Sequence, residues 1–296
     1  MLSENALSKK VNMKFAIIIK SKKPVAIYNE IEKYINYLIS TGIDIVIEES
    51  MAQAINIRIP TFKNEIPPGT DNIVVFGGDG TFLLAIRLMG AQDIPIIGVN
   101  IGSLGFLTEI TMNELYHATE LVMSGRADYE KRMRLSSRVV EQDKEVMSYY
   151  VLNDAVITKS TIARIVSLKI NVDNRYVTKY RADGLIISTP TGSTAYSMAA
   201  GGPIVYPTMD SIIITPIAPH TLTNRPIILS ADSIVEIELD TDDTDVVVTL
   251  DGQVSGAFKK SHKLVIKKSP HYVTLIKSQY RSYFDILREK LKWGER

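Results

Sequence analysis

The sequence predicts a doubly wound α/β domain followed by an all-β domain, with the C-terminal tail returning to the first. Three observations carry this. Apolar β-branched runs alternate with helically spaced segments from Lys14 to Val99. Two glycine loops, Gly77-Gly78-Asp79-Gly80-Thr81 and Gly102-Ser103-Leu104-Gly105-Phe106, follow such runs, where α/β domains collect ligands. From about Arg132 onward, short strand-like runs separated by turns dominate. The predicted boundaries are 13–131, completed by 270–296, for the α/β domain and 132–269 for the β domain.

Lys14 to Lys20 is a continuous apolar run, the pattern of a strand buried on both faces. Pro24 stands where a helix would start, and Ile27, Ile31, Tyr34, Ile35, Leu38 and Ile39 recur at helical spacing up to Gly42. Ile43–Ile47 is the next strand, a polar irregular stretch runs to Gly69, and Ile73–Phe76 delivers the first glycine loop. A helix over 81–89, a strand over 94–99 and a helix over 112–123 complete the domain. In the second domain the predicted strands are 136–140, 149–157, 165–172, 184–188, 212–215, 234–239, 246–250 and 264–267, with a short helix around 194–201. The acidic run Asp240 to Asp245 lacks the central glycine and distal glutamate of a calcium loop and reads as a hairpin tip. After Ser269-Pro270 come a strand over 272–276 and a helix over 284–293.

Composition narrows the function. With 296 residues, 45% of them hydrophobic, there is material for two cores. A net charge of +1 gives no field for holding nucleic acid or an anionic membrane. The basic clusters Lys131-Arg132 with Arg134, and Lys259-Lys260 with Lys263, read as solvated faces. The absence of cysteine removes disulfides and thiol chemistry, and the four histidines are too scattered for a metal cage. The first ten residues are polar, and no run approaches the ~18 apolar residues of a membrane span. The expectation is a soluble, cytoplasmic protein with no nucleic-acid or membrane partner.

The glycines around Asp79 let a phosphate chain approach backbone N–H groups; an ordinary strand-to-helix turn capped by Asp79 is the plainer alternative. The densest cluster of unusual residues is Asp183-Gly184-Leu185-Ile186-Ile187-Ser188-Thr189-Pro190-Thr191-Gly192-Ser193-Thr194-Ala195-Tyr196. Its hydroxyls, converging on a loop stiffened by Pro190, suit a sugar and a base. Asn153-Asp154 places an amide beside a carboxylate at a strand start, and Leu250-Asp251-Gly252-Gln253 does the same in a turn.

Together with Asn100, the segment Leu104 to Thr108, Ala200-Gly201-Gly202-Pro203-Ile204, Pro219-His220-Thr221-Leu222 and Arg225-Pro226, these motifs resemble the NAD kinase family, in order and over nearly the whole chain. The GGDGT loop is shared with lipid kinases; the long DGL…TPTGSTAY stretch is specific to NAD kinases. The resemblance implies transfer of the terminal phosphoryl of ATP, or of inorganic polyphosphate, to the 2′-hydroxyl of the adenosine ribose of NAD. It implies a divalent cation such as Mg²⁺, arriving with the nucleotide, and a homo-oligomer, dimer or tetramer.

For the residues it implies the following. Asp79 is the general base, kept ionised by N–H groups at a helix start, with Gly77, Gly78, Gly80 and Thr81 around the phosphates. Asn153 and Asp154 hold the adenine or ribose of NAD, with Asp154 standing where a glutamate is common. Thr194, Ala195 and Tyr196 line the same pocket, and Thr191, Ser197, Ala199 and Ala218 contribute to it. Asp183 and Gln253 are polar partners at the rim or across a subunit contact. Arg164 and Arg181 meet pyrophosphate or carboxylates, or form surface salt bridges; Phe106 closes the nucleotide site or belongs to the core. The rival readings are a lipid kinase sharing the GGDGT loop and a non-catalytic NAD-binding protein.

Overall fold

The computed structural model describes residues 13–20, 24–52, 55, 58–159, 165–221, 223–241 and 245–294. Arg164, Leu222 and the centre of the acidic run at 242–244 lie outside them. The chain forms two compact units, one from the described residues of 13–130 and 274–294, the other Lys131–Val273.

In the first unit, β1 (Lys14–Ile19), β2 (Asp44–Glu48), β3 (Thr61–Phe62), β4 (Asn72–Gly77) and β5 (Ile96–Asn100) pair in parallel, in the order β5-β4-β1-β2-β3. A further strand, β6 (Ile110–Thr111), pairs with β5. The helices are α1 (Val25–Ser40), α2 (Glu49–Ala52), α3 (Asp79–Met89) and α4 (Met112–Met123). Helix α1 buries Ile31, Tyr34, Ile35 and Leu38, one stripe at spacings of three and four. Each aliphatic side chain so buried contributes roughly 2 kcal/mol. Pro24 precedes it and Gly42, at φ 83°, lies just past its end. The stretch expected to be irregular holds α2 and β3, elements too short to leave a periodic trace. Helix α3 begins at Asp79, not Thr81, so the aspartate lies inside the first helical turn.

In the second unit, β7 (Tyr129–Glu141) and β8 (Lys144–Val151) form an antiparallel pair. Then come β9 (Asp154–Lys159), β10 (Val166–Val172), β11 (Arg175–Ala182), β12 (Gly184–Ser188), helix α5 (Tyr196–Ala199), β13 (Ser211–Ile217), β14 (Ile227–Ser230), β15 (Val235–Leu239), β16 (Val246–Leu250), β17 (Val254–Ala257) and β18 (His262–Ile276). One antiparallel set runs β11-β10-β15-β18, the other β14-β13-β12-β9-β16-β17. Leu168, Val235 and Ile237 of the first set meet Ile157, Ile187, Ile212 and Val248 of the second in one core. Helix α6 (Tyr283–Leu291) belongs to the first unit and is capped by Ser282, whose N–H and hydroxyl both donate to Asp285.

Four expectations are corrected. The single strand expected over 149–157 is broken at Leu152-Asn153, where the chain leaves β8 and enters β9. β15 and β16 lie in different sheets, so the acidic run joins two layers instead of tipping a hairpin. No break occurs at Ser269-Pro270: the pairing of β18 with β15 ends at Ile266, so Pro270 owes that ladder no donor. Arg132 and Arg134 are not solvated but 2% and 1% exposed. Their guanidinium groups find internal partners: Arg132 donates to Thr191 Oγ1 at 3.4 Å, and Arg134 donates to the Tyr150 carbonyl at 2.8 Å and lies 5.2 Å from that ring's centroid.

Candidate active site

In the first unit, the register Gly77↔Asn100 places the carboxyl ends of β4 and β5 side by side, so the loops leaving them are neighbours. The half-buried Asp79 carboxylate spans the gap: Oδ2 accepts from the Phe106 N–H and Oδ1 from the Leu107 N–H, both at 3.0 Å. Those amides belong to the second glycine loop. They, and not donors at the start of α3, hold the carboxylate. Within α3, the amides of Thr81 and Phe82 donate to the Gly78 carbonyl at 2.9 and 3.1 Å. The amides ahead of them are the ones a helix start leaves for a ligand.

The glycines divide by role. A Cβ on Gly105 would overlap the Asp79 carboxylate, and one on Gly77 would overlap the Thr81 side chain. Gly77 is therefore required by local packing and not by phosphate approach. Positions 78 and 80 face open space, as an approach to backbone amides demands. Asn100 shapes the second loop, accepting from Gly102 N–H at 2.8 Å and donating to the Ser103 carbonyl at 2.5 Å. Phe106 is half-buried, its ring 6.4 Å from that of Tyr283, with Lys290 Nζ 5.9 Å from its centroid.

In the second unit, the Asn153-Asp154 turn sits between β8 and β9, against the turn that ends β16. The buried Asp251 carboxylate accepts the amides of Leu152, Asn153 and Asp154 at 2.8, 2.7 and 3.1 Å. Asp154 is 5% exposed and its carboxyl has no hydrogen-bond partner among the described residues. Burial pushes its pKa up to about 7, and the charge of Asp251 adds to this. Burial likewise raises Asp251, to about 6, against the lowering effect of the three amides and of Arg134. Ser188, opposite Asp154 in the β12–β9 register, is fully buried with an unpartnered hydroxyl. Ile157 and Ile187 enter the core, so strand alternation turns Asp154 and Ser188 to the other face. Two polar side chains without a hydrogen-bond partner among the described residues thus share one face, where they suit a polar ligand.

The hydroxyl-rich loop is mostly occupied with itself. Thr189 Oγ1 donates to the Leu152 carbonyl at 2.5 Å, Ser193 Oγ to the Pro190 carbonyl at 2.6 Å and Thr194 Oγ1 to the Thr191 carbonyl at 3.2 Å; Ser197 Oγ pairs with Thr215 Oγ1 at 2.9 Å. A Cβ on Gly192 would lie 2.7 Å from Asn153 Cα, so the loop is pressed onto the Asn153 backbone. Thr191, Ser193 and Ser197 are buried, Thr194 and Ala195 half-buried, and Tyr196 (45%) and Ala199 exposed. Arg181, Asp183 and Ala218 are exposed, Ala218 at a left-handed φ of 43°; Gln253 is half-buried. Sequence reasoning left Asp251 out of the site. It was visible as a carboxylate before glycine, but such pairs also mark ordinary turns.

Residues 15–127 match the model of the ATP-NAD kinase N-terminal domain, and residues 152–278 that of the ATP-NAD kinase C-terminal domain. The chain belongs to the NAD kinase family. The NAD kinase of Geotalea daltonii is 45% identical over 265 residues, covering 90% of this chain and 93% of its own. That of Citrifermentans bemidjiense is 44% identical over 287 residues, covering 96% and 99%. Yeast NADH kinase complexed with NADH has a TM-score of 0.86 at 25% identity, covering 96% of this chain and 89% of its own. An NAD kinase from Archaeoglobus fulgidus in complex with ATP shares the fold, with a TM-score of 0.75 at 24% identity, covering 95% and 100%. NAD kinase models matching both halves favour neither the lipid-kinase nor the non-catalytic reading; the chain is an enzyme of this family. Among the described residues no helix is long and apolar enough to cross a membrane.

Proposed function

We propose that this NAD kinase transfers the terminal phosphoryl group of ATP to the 2′-hydroxyl of the adenosine ribose of NAD, giving NADP, with Asp79 as the general base. The observation that carries this is the clamped carboxylate: two amides from the neighbouring loop fix Asp79 in one orientation beside a helix start whose glycines are open. Each oxygen accepts one amide and keeps a lone pair for an incoming hydroxyl. Phosphoryl transfer asks the protein for alignment and charge neutralisation more than for covalent chemistry. A carboxylate is a weak base toward an alcohol, so the proton leaves late, and Asp79 orients the hydroxyl until then.

The amides of Gly78 and Gly80 face the phosphates. Asn153 and Asp154 take the adenosine of NAD, with Ser188 beside them and Tyr196 offering an exposed ring face. Arg181 suits the pyrophosphate through the forked geometry of its guanidinium, as would Arg164, which lies outside the described residues. A divalent cation such as Mg²⁺ would arrive with the nucleotide and would neutralise phosphate charge. A cytoplasmic homo-oligomer completes the reading.

The test is a coupled assay for NADP formation, with ATP and polyphosphate compared as donors. Asp79→Asn keeps size and removes the base, while its NH₂ group opposes one of the two clamping amides; its kcat is expected to fall more than about tenfold. A smaller fall removes the base role; NADP formation with neither donor removes the function.

A further inference from the structure

We infer that Asp251 is a positioning residue for the dinucleotide, setting the turn from which Asn153 and Asp154 meet NAD. This rests on the assignment of that turn to NAD. Three successive amides, those of Leu152, Asn153 and Asp154, converge on one carboxylate that lies 97 to 99 residues away in the chain. The attachment is returned: Asp251 N–H donates to the Asp154 carbonyl at 2.9 Å. The pairing Leu250↔Ala155 brings the two strands together, and Asp251, at a left-handed φ of 51°, then turns its side chain back over the adjacent turn.

A turn that only needed to close would not be built this way. A buried carboxylate costs free energy that a neutral acceptor such as asparagine or a backbone carbonyl would not. Here it also lies near a second buried carboxyl, that of Asp154. The arrangement fixes both flanking side chains at once. With its N–H on Asp251 and its carbonyl accepting the Thr189 N–H at 2.9 Å, Asn153 has its backbone tied on both sides. Gly192 closes against it. Asp154 is tied through N–H and carbonyl to the same residue, leaving only its carboxyl without a partner. Asp251 thus determines where two polar groups stand, its own carboxylate oxygens being engaged by the three amides.

The experiment is steady-state kinetics with each substrate varied, on the full chain, for Asp251→Asn, Asn153→Ala and the double variant. Asp251→Asn replaces one acceptor by an NH₂ group that opposes an amide N–H. It is expected to raise KM for NAD by about tenfold, the size of one well-placed polar contact, with KM for ATP changed less than about twofold. In the Asn153→Ala background the same change is expected to add less than about threefold, because coupled residues fail to add. Asp251→Glu keeps both acceptor oxygens and serves if the asparagine variant folds poorly; a smaller rise with the same selectivity is expected. A role in folding alone would lower the active fraction and leave both KM values in place, which overturns the inference. Equal rises for NAD and ATP also overturn it. An effect of Asn153→Ala with none from either Asp251 variant sinks this inference alone. No effect of Asn153→Ala on KM for NAD removes the NAD assignment of the turn and the inference with it.

Discussion

The Asp154 carboxyl gives the molecule a share of stability that should fall as pH rises, and Asp154→Asn should remove that share while leaving the smaller one of Asp251. Burial, with the charge of Asp251 adding, raises its pKa from 3.8 to about 7 in the folded protein. Between those values the native state holds a proton that the unfolded chain has released. Raising the pH therefore favours unfolding. The stabilisation is complete below about pH 4 and is lost as pH climbs through about 7. Roughly three pH units at ~1.4 kcal/mol each put the ceiling near 4 kcal/mol. At about 2 °C per kcal/mol for a chain of this size, that is a Tm change of up to ~8 °C. Asparagine has nearly the same shape and does not ionise. Thermal melts of both proteins at pH 5, 6, 7 and 8 should show the variant gaining on the parent by several degrees across the series, most of it between pH 5 and 7. A Tm difference that stays constant over this range would refute the reasoning. It would mean that Asp154 ionises as a solvated carboxylate does, and that its burial carries no electrostatic cost.

Two further outcomes follow from close contacts in the first unit. Gly105→Ala places a methyl on the Asp79 carboxylate and should lower kcat by about 100-fold through misplacement of the base, with KM for NAD changed little; an unchanged kcat in steady-state assays would show that the clamp does not matter to turnover. Lys277→Ala leaves the buried Glu109, paired with Lys277 at 2.9 Å, without its cation and should cost roughly 3 kcal/mol in denaturant unfolding, loosening the C-terminal segment from its own unit.

Much of this architecture was legible because its signals are local. Helix α1 has its stripe of apolar residues and its proline start; β1, β4 and β12 are unbroken apolar runs; the glycine loop announces a strand-to-helix junction. The strands β11, β14 and β17 were missed because they lie at sheet edges with exposed residues, where no face demands a hydrophobic period. The burial of Arg132 and Arg134 was invisible for another reason. A basic residue in a strand is read as solvent-facing unless its partner is known, and here the partners, Thr191 and the Tyr150 carbonyl, lie 59 and 16 residues away.

By itself, the order of residues determined the strand-to-helix junction that carries Asp79, the change from α/β to β, and membership in a family. Those features are written in neighbouring residues, through backbone freedom and periodic burial. Only the tertiary structure decided what holds each carboxyl group. Asp79 is oriented by Phe106 and Leu107, 27 and 28 residues on, and the Asn153-Asp154 turn by Asp251 nearly a hundred residues on. Hydrogen bonds act over 3 Å and carry no mark of sequence distance, so such partners emerge only when the sheets have brought their strands into register.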